Sequence, residues 1–194
     1  MNFNTLVVGP IQTNCYIIEN QSGEAIIIDP GGETQRIRKF LDDKKLTPRF
    51  IINTHGHFDH IKGNRELKKS TGAILLLNEK DAIFLAQENS PPADRFLKEN
   101  DKIELGEISL SVICTPGHTP GGICLYSEKD NILFSGDTLF RGTYGRTDLP
   151  FSSQDDMMRS LEKLFALPPE TKVYPGHGSS TTIGFEKNLF PYKD

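Results

Sequence analysis

Cysteine is scarce in this chain of 194 residues: Cys15, Cys114 and Cys124 are the whole complement. Their number is odd and no Cys-x-x-Cys pair occurs, which argues against a disulfide framework and for a reducing, cytoplasmic setting. Long apolar runs are also missing. None exceeds five residues, as at residues 73–77, whereas a membrane span needs about 20. The start, Met1-Asn2-Phe3-Asn4-Thr5, has no basic region followed by an apolar stretch, so no secretory signal is read there. Positive charge is not in excess: the formal net charge is −4. A nucleic-acid-binding surface usually makes a domain clearly basic. The pairs Lys44-Lys45 and Lys68-Lys69 read as solvated helix faces. The expected partners therefore include neither nucleic acid nor membrane, and nothing specifies an oligomeric state. The length suits one domain, residues 1–194, at about 100–200 residues per domain.

Histidine is sparse too, but its placement is uneven. The five are His55, His57, His60, His118 and His177. Three fall within Thr54-His55-Gly56-His57-Phe58-Asp59-His60. The other two sit in Pro116-Gly117-His118-Thr119 and Pro175-Gly176-His177-Gly178.

Short β-rich runs at 6–8, 15–18 and 25–28 read as strands. Residues 33–45 show helical spacing, with Ile37, Phe40 and Leu41 on one face. A strand at 50–52 precedes the histidine cluster. Charged and apolar periodicity then predicts a helix over 61–70, a strand over 73–77 and a helix over 79–88. Residues 90–99, polar and proline-containing, read as a loop. Residues 108–113 alternate as a half-buried strand does, and 122–126 pairs with 131–134. An amphipathic helix spans 154–166, with Met157, Met158, Leu161, Leu164 and Phe165 toward the core. A strand at 171–174 and a short helix at 183–189 close the pattern. Strands in runs with helices between some of them suit two sheets covered by helices on their outer faces. The three cysteines, in or beside strands, read as small core residues.

Within the cluster, residues 55 and 57 are two apart, so extended backbone points both to one side. Asp59 and His60 are adjacent and can face different targets. Gly56 lets the backbone bend close to an ion. His118, Asp137 and His177 each follow a predicted strand. Imidazole and carboxylate are ligands for zinc, iron or manganese. Seven such groups suit two metals about 3.5–4 Å apart with one carboxylate between them. Asp29, at the end of a strand, and Thr54 are candidates to orient these ligands.

These segments resemble the metallo-β-lactamase-fold superfamily of metal-dependent hydrolases, from Asp29-Pro30-Gly31-Gly32 to Pro175-Gly176-His177-Gly178. The resemblance implies an αβ/βα sandwich of two mixed β-sheets flanked by helices, with the site at one edge between the sheets. It implies two divalent metal ions, zinc foremost, with iron or manganese served by the same ligands. His55, His57 and His118 would bind the first, and Asp59, His60 and His177 the second, with Asp137 bridging. Catalysis would use hydroxide held between the metals, oriented by Asp59. His60, and the absence of a cysteine beside the ligands, point away from penicillin hydrolysis.

The stretch Gly136-Asp137-Thr138-Leu139-Phe140-Arg141-Gly142-Thr143-Tyr144-Gly145-Arg146-Thr147-Asp148 resembles the glyoxalase II group, which hydrolyses S-acylglutathione thioesters. Arg146 takes the place of that group's glutathione-contacting basic residue, and Tyr144 is a second substrate candidate. The chain stops soon after His177, where full-length glyoxalase II continues into a helical domain. It thus resembles the short bacterial glyoxalase II-like hydrolases, acting on a small-molecule thioester or ester. Gly145-Arg146-Thr147-Asp148 also resembles the persulfide dioxygenase branch, which uses one iron, and that is the alternative.

Overall fold

The computed structural model describes residues 1–190. Two six-stranded sheets carry the fold. The first has the order β1-β2-β3-β4-β5-β6, with β1 at Asn2–Val8, β2 at Thr13–Glu19, β3 at Glu24–Ile28, β4 at Thr47–Ile52, β5 at Ile74–Asn78 and β6 at Arg95–Leu97. The second has the order β14-β13-β10-β9-β8-β7. Its strands are β7 (Lys102–Leu105), β8 (Ile108–Cys114), β9 (Ile123–Ser127), β10 (Ile132–Gly136), β13 (Lys172–Pro175) and β14 (Thr181–Thr182). A two-stranded ribbon, β11 (Leu139–Phe140) and β12 (Thr143–Tyr144), completes the strands. Each sheet mixes parallel and antiparallel pairs: β3-β4-β5-β6 and β10-β13 are parallel.

The central strands are apolar on both faces because both faces are covered. In β2 and β3, Ile18, Ile26 and Ile28 face the other sheet and meet Leu110, Leu125 and Phe134. Their neighbours Cys15, Ile17, Ala25 and Ile27 face outward and pack under α1 (Thr34–Lys44) and α3 (Asn64–Thr71), through Ile37, Leu41 and Leu67. On the far side, Met157, Leu161 and Leu164 of α5 (Gln154–Phe165) cover Cys124, Leu133 and Val173. The Ser153 side chain caps that helix by accepting from Asp156 N, and Asp155 and Asp156 favour its positive end. The layers are thus helix, sheet, sheet, helix.

Four local features differ from the sequence pattern. Residues 90–99 contain β6, which pairs with β5, and β7 follows it. Three- and four-residue strands at a sheet end are too short for periodicity to show them; pairing decides. The helix expected over 61–70 is two: α2 (Phe58–Ile61) carries Asp59 and His60, and α3 begins beyond Gly63. Residues 79–88 divide into a 3-10 turn at Glu79–Asp81 and α4 (Ala82–Gln87). Cys15 and Cys124 are buried as expected, but Cys114 is half-buried. The short last helix, α6, spans Ile183–Leu189.

Candidate metal centre

The seven residues singled out by spacing converge at the rim where the two sheets meet. Strand β4 ends at Ile52 and delivers His55 and His57, and the first turn of α2 carries Asp59 and His60. His118 follows β8, Asp137 follows β10, and His177 follows β13. The sheets are pinned together here. Thr13 forms a bridge with His177, Asn14 N donates to Gly176 O at 2.7 Å, and Tyr16 Oη donates to Pro175 O at 2.6 Å.

Ligand-type atoms fall into three sets, each within 4.8 Å of one another: His55, His57 and His118; His55, His60 and Asp137; Asp59, His60 and His177. His57 Nδ1 faces His118 Nε2 at 2.9 Å, and His60 Nε2 faces His177 Nε2 at 3.2 Å. Two imidazole nitrogens on one tetrahedral zinc lie about 3.3 Å apart, given Zn–N distances of about 2.0–2.1 Å. Asp137 faces both groups: Oδ1 lies 3.4 Å from His60 Nε2, and Oδ2 lies 3.6 Å from His118 Nε2 and 3.5 Å from His177 Nε2. His55 Nε2 and Asp137 Oδ1 are buried without a hydrogen-bond partner among the described residues. Leaving buried polar atoms unpaired is costly. Nitrogen and carboxylate lone pairs aimed at a shared centre are what divalent cations satisfy, so this donor set fits the metals implied by the sequence.

The electrostatics divide the histidines: at His60 burial lowers, but the charges of Asp137 and Asp29 outweigh it and raise the ring to about 9, whereas His55 and His57 are held down. Burial, and then repulsion from His60, His118 and His57, keeps His55 well below the usual histidine range. Burial and His118 bring His57 down to about 4. Both are thus neutral and able to donate a lone pair. Burial works against ionisation of Asp59, but the hydrogen bond from His177 and the charges of His60 and His177 outweigh it and hold the carboxyl at about 2.

Carboxylates beneath the cluster fix its loops. Asp29 accepts from Thr54 N at 2.8 Å and Thr54 Oγ1 at 2.6 Å. Its Oδ2 lies 3.0 Å from His60 Nδ1, close enough to orient the ring although off the line of a good hydrogen bond. The sequence pattern had singled out Asp29 and Thr54. It missed Asp81, read only as part of a helix. Asp81 is fully buried and accepts from Gly56 N at 2.8 Å, Thr119 Oγ1 at 2.7 Å and Gly121 N at 2.6 Å. One carboxylate thereby ties the loop of His55 and His57 to the loop of His118. Only its pairing across the fold reveals this. The Arg146 carbonyl lies 2.9 Å from His118 Nδ1 and fixes that ring.

Two glycines are required by crowding. A Cβ on Gly176 would sit 2.1 Å from Asp137 Oδ1, and one on Gly145 would sit 1.9 Å from the Asp137 carbonyl oxygen. Asp137 is thus packed against bare backbone at its carboxylate, by Gly176, and at its carbonyl, by Gly145.

Above the cluster lies a cavity of about 710 Å³, with His57, Asp59, His118, Asp137 and His177 on its floor. Arg146 reaches its edge. The guanidinium is already held by Asp148, with Nε–Oδ1 at 2.7 Å and Nη2–Oδ2 at 2.8 Å. Tyr144 does not line the cavity. Its ring packs on Phe190, with centroids 5.7 Å apart, and its hydroxyl accepts from Gln154 Nε2 at 3.3 Å. The ribbon β11-β12 turns it toward the α5 layer, away from the substrate side expected of it. No helix among the described residues is long and apolar enough to cross a membrane.

Comparison with known proteins places this geometry. The hydroxyacylglutathione hydrolase GloC of Haemophilus influenzae is 35% identical over 99% of this chain and 98% of its own. The Bacillus subtilis protein named probable metallo-hydrolase YqgX is 34% identical over 99% and 97%. Among solved structures, the BLEG-1 B3 metallo-beta-lactamase superposes with a TM-score of 0.91 at 36% identity, covering 96% of this chain and 97% of that one. TTHA1623 in a di-iron-bound form gives 0.89 at 34%, covering 97% and 98%. ETHE1 from Myxococcus xanthus gives 0.88 at 30%, covering 98% and 84%. The family model of the metallo-beta-lactamase superfamily matches residues 8–177, and the chain belongs to that superfamily.

Proposed function

We propose that the chain is a metal-dependent hydrolase of thioesters or related esters. The observation that carries this reading is the convergence of seven His and Asp side chains at one site, five of them on the floor of an open cavity. His55, His57 and His118 would hold one divalent cation, and Asp59, His60 and His177 a second, with Asp137 between them. Bound there, zinc, iron or manganese supplies a water of lowered pKa and polarises a carbonyl.

The chain's own groups complete the chemistry. Asp59 stays anionic through the neutral range, and its Oδ2 is steadied by Thr13 Oγ1 at 3.3 Å. It can accept a hydrogen bond from water entering the cavity and aim it at a carbonyl. Every histidine sits in the cluster, so none is free to protonate a leaving group. A thiol, with a pKa of about 8.5, leaves as thiolate without that help. That favours thioesters over amides. The GloC likeness and the match of Arg146 to the glyoxalase II pattern support the same class.

The test is turnover of S-lactoylglutathione and of a simple acyl thioester by the zinc-loaded protein, followed by loss of thioester absorbance. Hydrolysis should stop on chelation and fall at least about 100-fold in Asp59→Asn, the scale of losing a positioned group in the reaction. A second reading, a one-iron sulfur oxygenase, is favoured by the Gly145-Arg146-Thr147-Asp148 motif. Oxygen uptake on glutathione persulfide without thioester hydrolysis would establish it instead. Opening of a β-lactam alone would move the chain to the lactamase branch.

A further inference from the structure

The cavity floor is explained by the ligand cluster, but its wall is not. Ile11, Phe58, Phe84, Leu149 and Phe151 line the same space. They come from four separate stretches: the β1–β2 turn, the α2 helix, the α4 helix and the loop before α5. Ile11 is 48% exposed, Phe58 47% and Phe151 61%. Scattered exposed apolar residues are ordinary, but a contiguous group around a chemical site marks a binding surface. Ring contacts join two of these residues to each other and to the cluster. The Phe84 ring lies 5.4 Å from that of His57 and 6.1 Å from that of Phe151. An aromatic row thus begins on a ligand side chain and runs out to the rim. Opposite it, the Ile11 carbonyl lies 3.2 Å from His177 Nδ1, which ties that apolar side chain to the cluster as well.

Phe151 sharpens the point. Its φ of +68° lies in the left-handed region, where a bulky side chain is strained. Its ring is mostly exposed, so burial in the free protein does not offset that strain. The turn nevertheless holds the ring over the cavity.

The wall is poor in charge. Arg146 is its sole Lys or Arg among the described residues, and Asp148 already engages its Nε and Nη2, leaving Nη1 and one hydrogen of Nη2 for a ligand. A glutathione moiety carries two carboxylates and an ammonium group. This wall has little to pair with them and a broad apolar face instead.

We infer that the site selects thioesters or esters by a bulky apolar acyl chain, seated against Phe58, Phe84 and Phe151, and reads the thiol half only loosely. This rests on the hydrolase reading for the reaction, but the seat itself can be tested without turnover. Non-hydrolysable S-alkyl thioethers with methyl, butyl and hexyl chains, on either N-acetylcysteamine or glutathione, are titrated calorimetrically into zinc-loaded protein. Affinity should rise about two- to fourfold per methylene, as burial of alkyl surface dictates, and should differ less than about threefold between the two thiols, as weak exposed ion pairing implies. Phe151→Ala should flatten the rise with chain length, and Phe151→Leu should restore most of it. Affinity independent of chain length, or a glutathione series more than about tenfold tighter throughout, the mark of a well-engaged charged group, overturns the inference. Equal slopes in all three proteins remove Phe151 from it. If the thioethers bind as expected while the matching acyl thioesters are not hydrolysed, the hydrolase reading fails and the apolar seat stands.

Discussion

At the base of the cleft, seven His and Asp side chains, five of them on its floor, are buried or half-buried and braced from below by Asp29 and Asp81. On its wall, Ile11, Phe58 and Phe151 stand exposed, supported by ring contacts and one strained turn. The floor sits on strand ends and a short helix, held by backbone bonds such as Thr54 N to Asp29 and Gly56 N to Asp81. The wall is assembled from turns and helix rims. The contrast divides the work: the floor fixes the reaction, and the wall, free to vary without disturbing the ligands, sets what is bound.

The comparison is broken most severely at the floor's brace. Asp81→Ala leaves two buried N–H groups and a hydroxyl without an acceptor, at about 1–3 kcal/mol each. The three groups share one carboxylate and are not additive, so a total loss of about 3–5 kcal/mol is expected, which would lower the melting temperature by roughly 6–20 °C at about 2–4 °C per kcal/mol. A scanning melt checks this, and a change of less than about 2 °C would show that the two ligand loops do not depend on Asp81. Next comes Gly176→Ala. The added methyl collides with Asp137 Oδ1 and His60 Cε1, and a displacement near 1 Å at a reacting centre can cost about 100-fold in rate. Steady-state kinetics should show the loss in kcat with little change in KM.

A smaller effect is expected on the wall. Phe151→Gly relieves the left-handed strain, worth about 1 kcal/mol, and removes a ring that is mostly exposed. Chemical denaturation should find the variant as stable as the parent or slightly more so, with weaker binding of long acyl chains. Marked destabilisation would mean that the ring belongs to the core. Smallest of all is Asp148→Asn, which unlocks an exposed pair. Stability should stay within about 0.5 kcal/mol, while affinity for a glutathione-bearing ligand rises a few-fold as Arg146 becomes available.

The same division governs what could be read from the sequence. The cluster was legible because His55, His57, Asp59 and His60 are close in the chain and the other three follow β-rich runs beside glycine. The sheets were legible because β2, β3 and β9 are dense in apolar and β-branched residues. Asp81 was not legible, since its three partners lie 25 to 40 residues away. Phe84 read simply as an apolar helix position, and Phe58 and Phe151 carry no local signal of sharing a cavity. Strands β6 and β7 were missed because pairing with β5 and β8, not their own composition, makes them strands. Tyr144 was drawn toward the substrate by its place beside the glyoxalase II motif, and only the turn of the β11-β12 ribbon shows it packing the other way.

The central claim is that Asp137 joins two cation sites on one floor. Elemental analysis of zinc-loaded wild-type protein and Asp137→Ala, with thioester turnover measured on the same samples, tests it most directly. Two adjacent sites predict about two cations per wild-type chain, and loss of both metal and turnover in the variant. Full metal occupancy and activity in Asp137→Ala, or a single iron in the wild type with oxygen-dependent persulfide consumption, would contradict it.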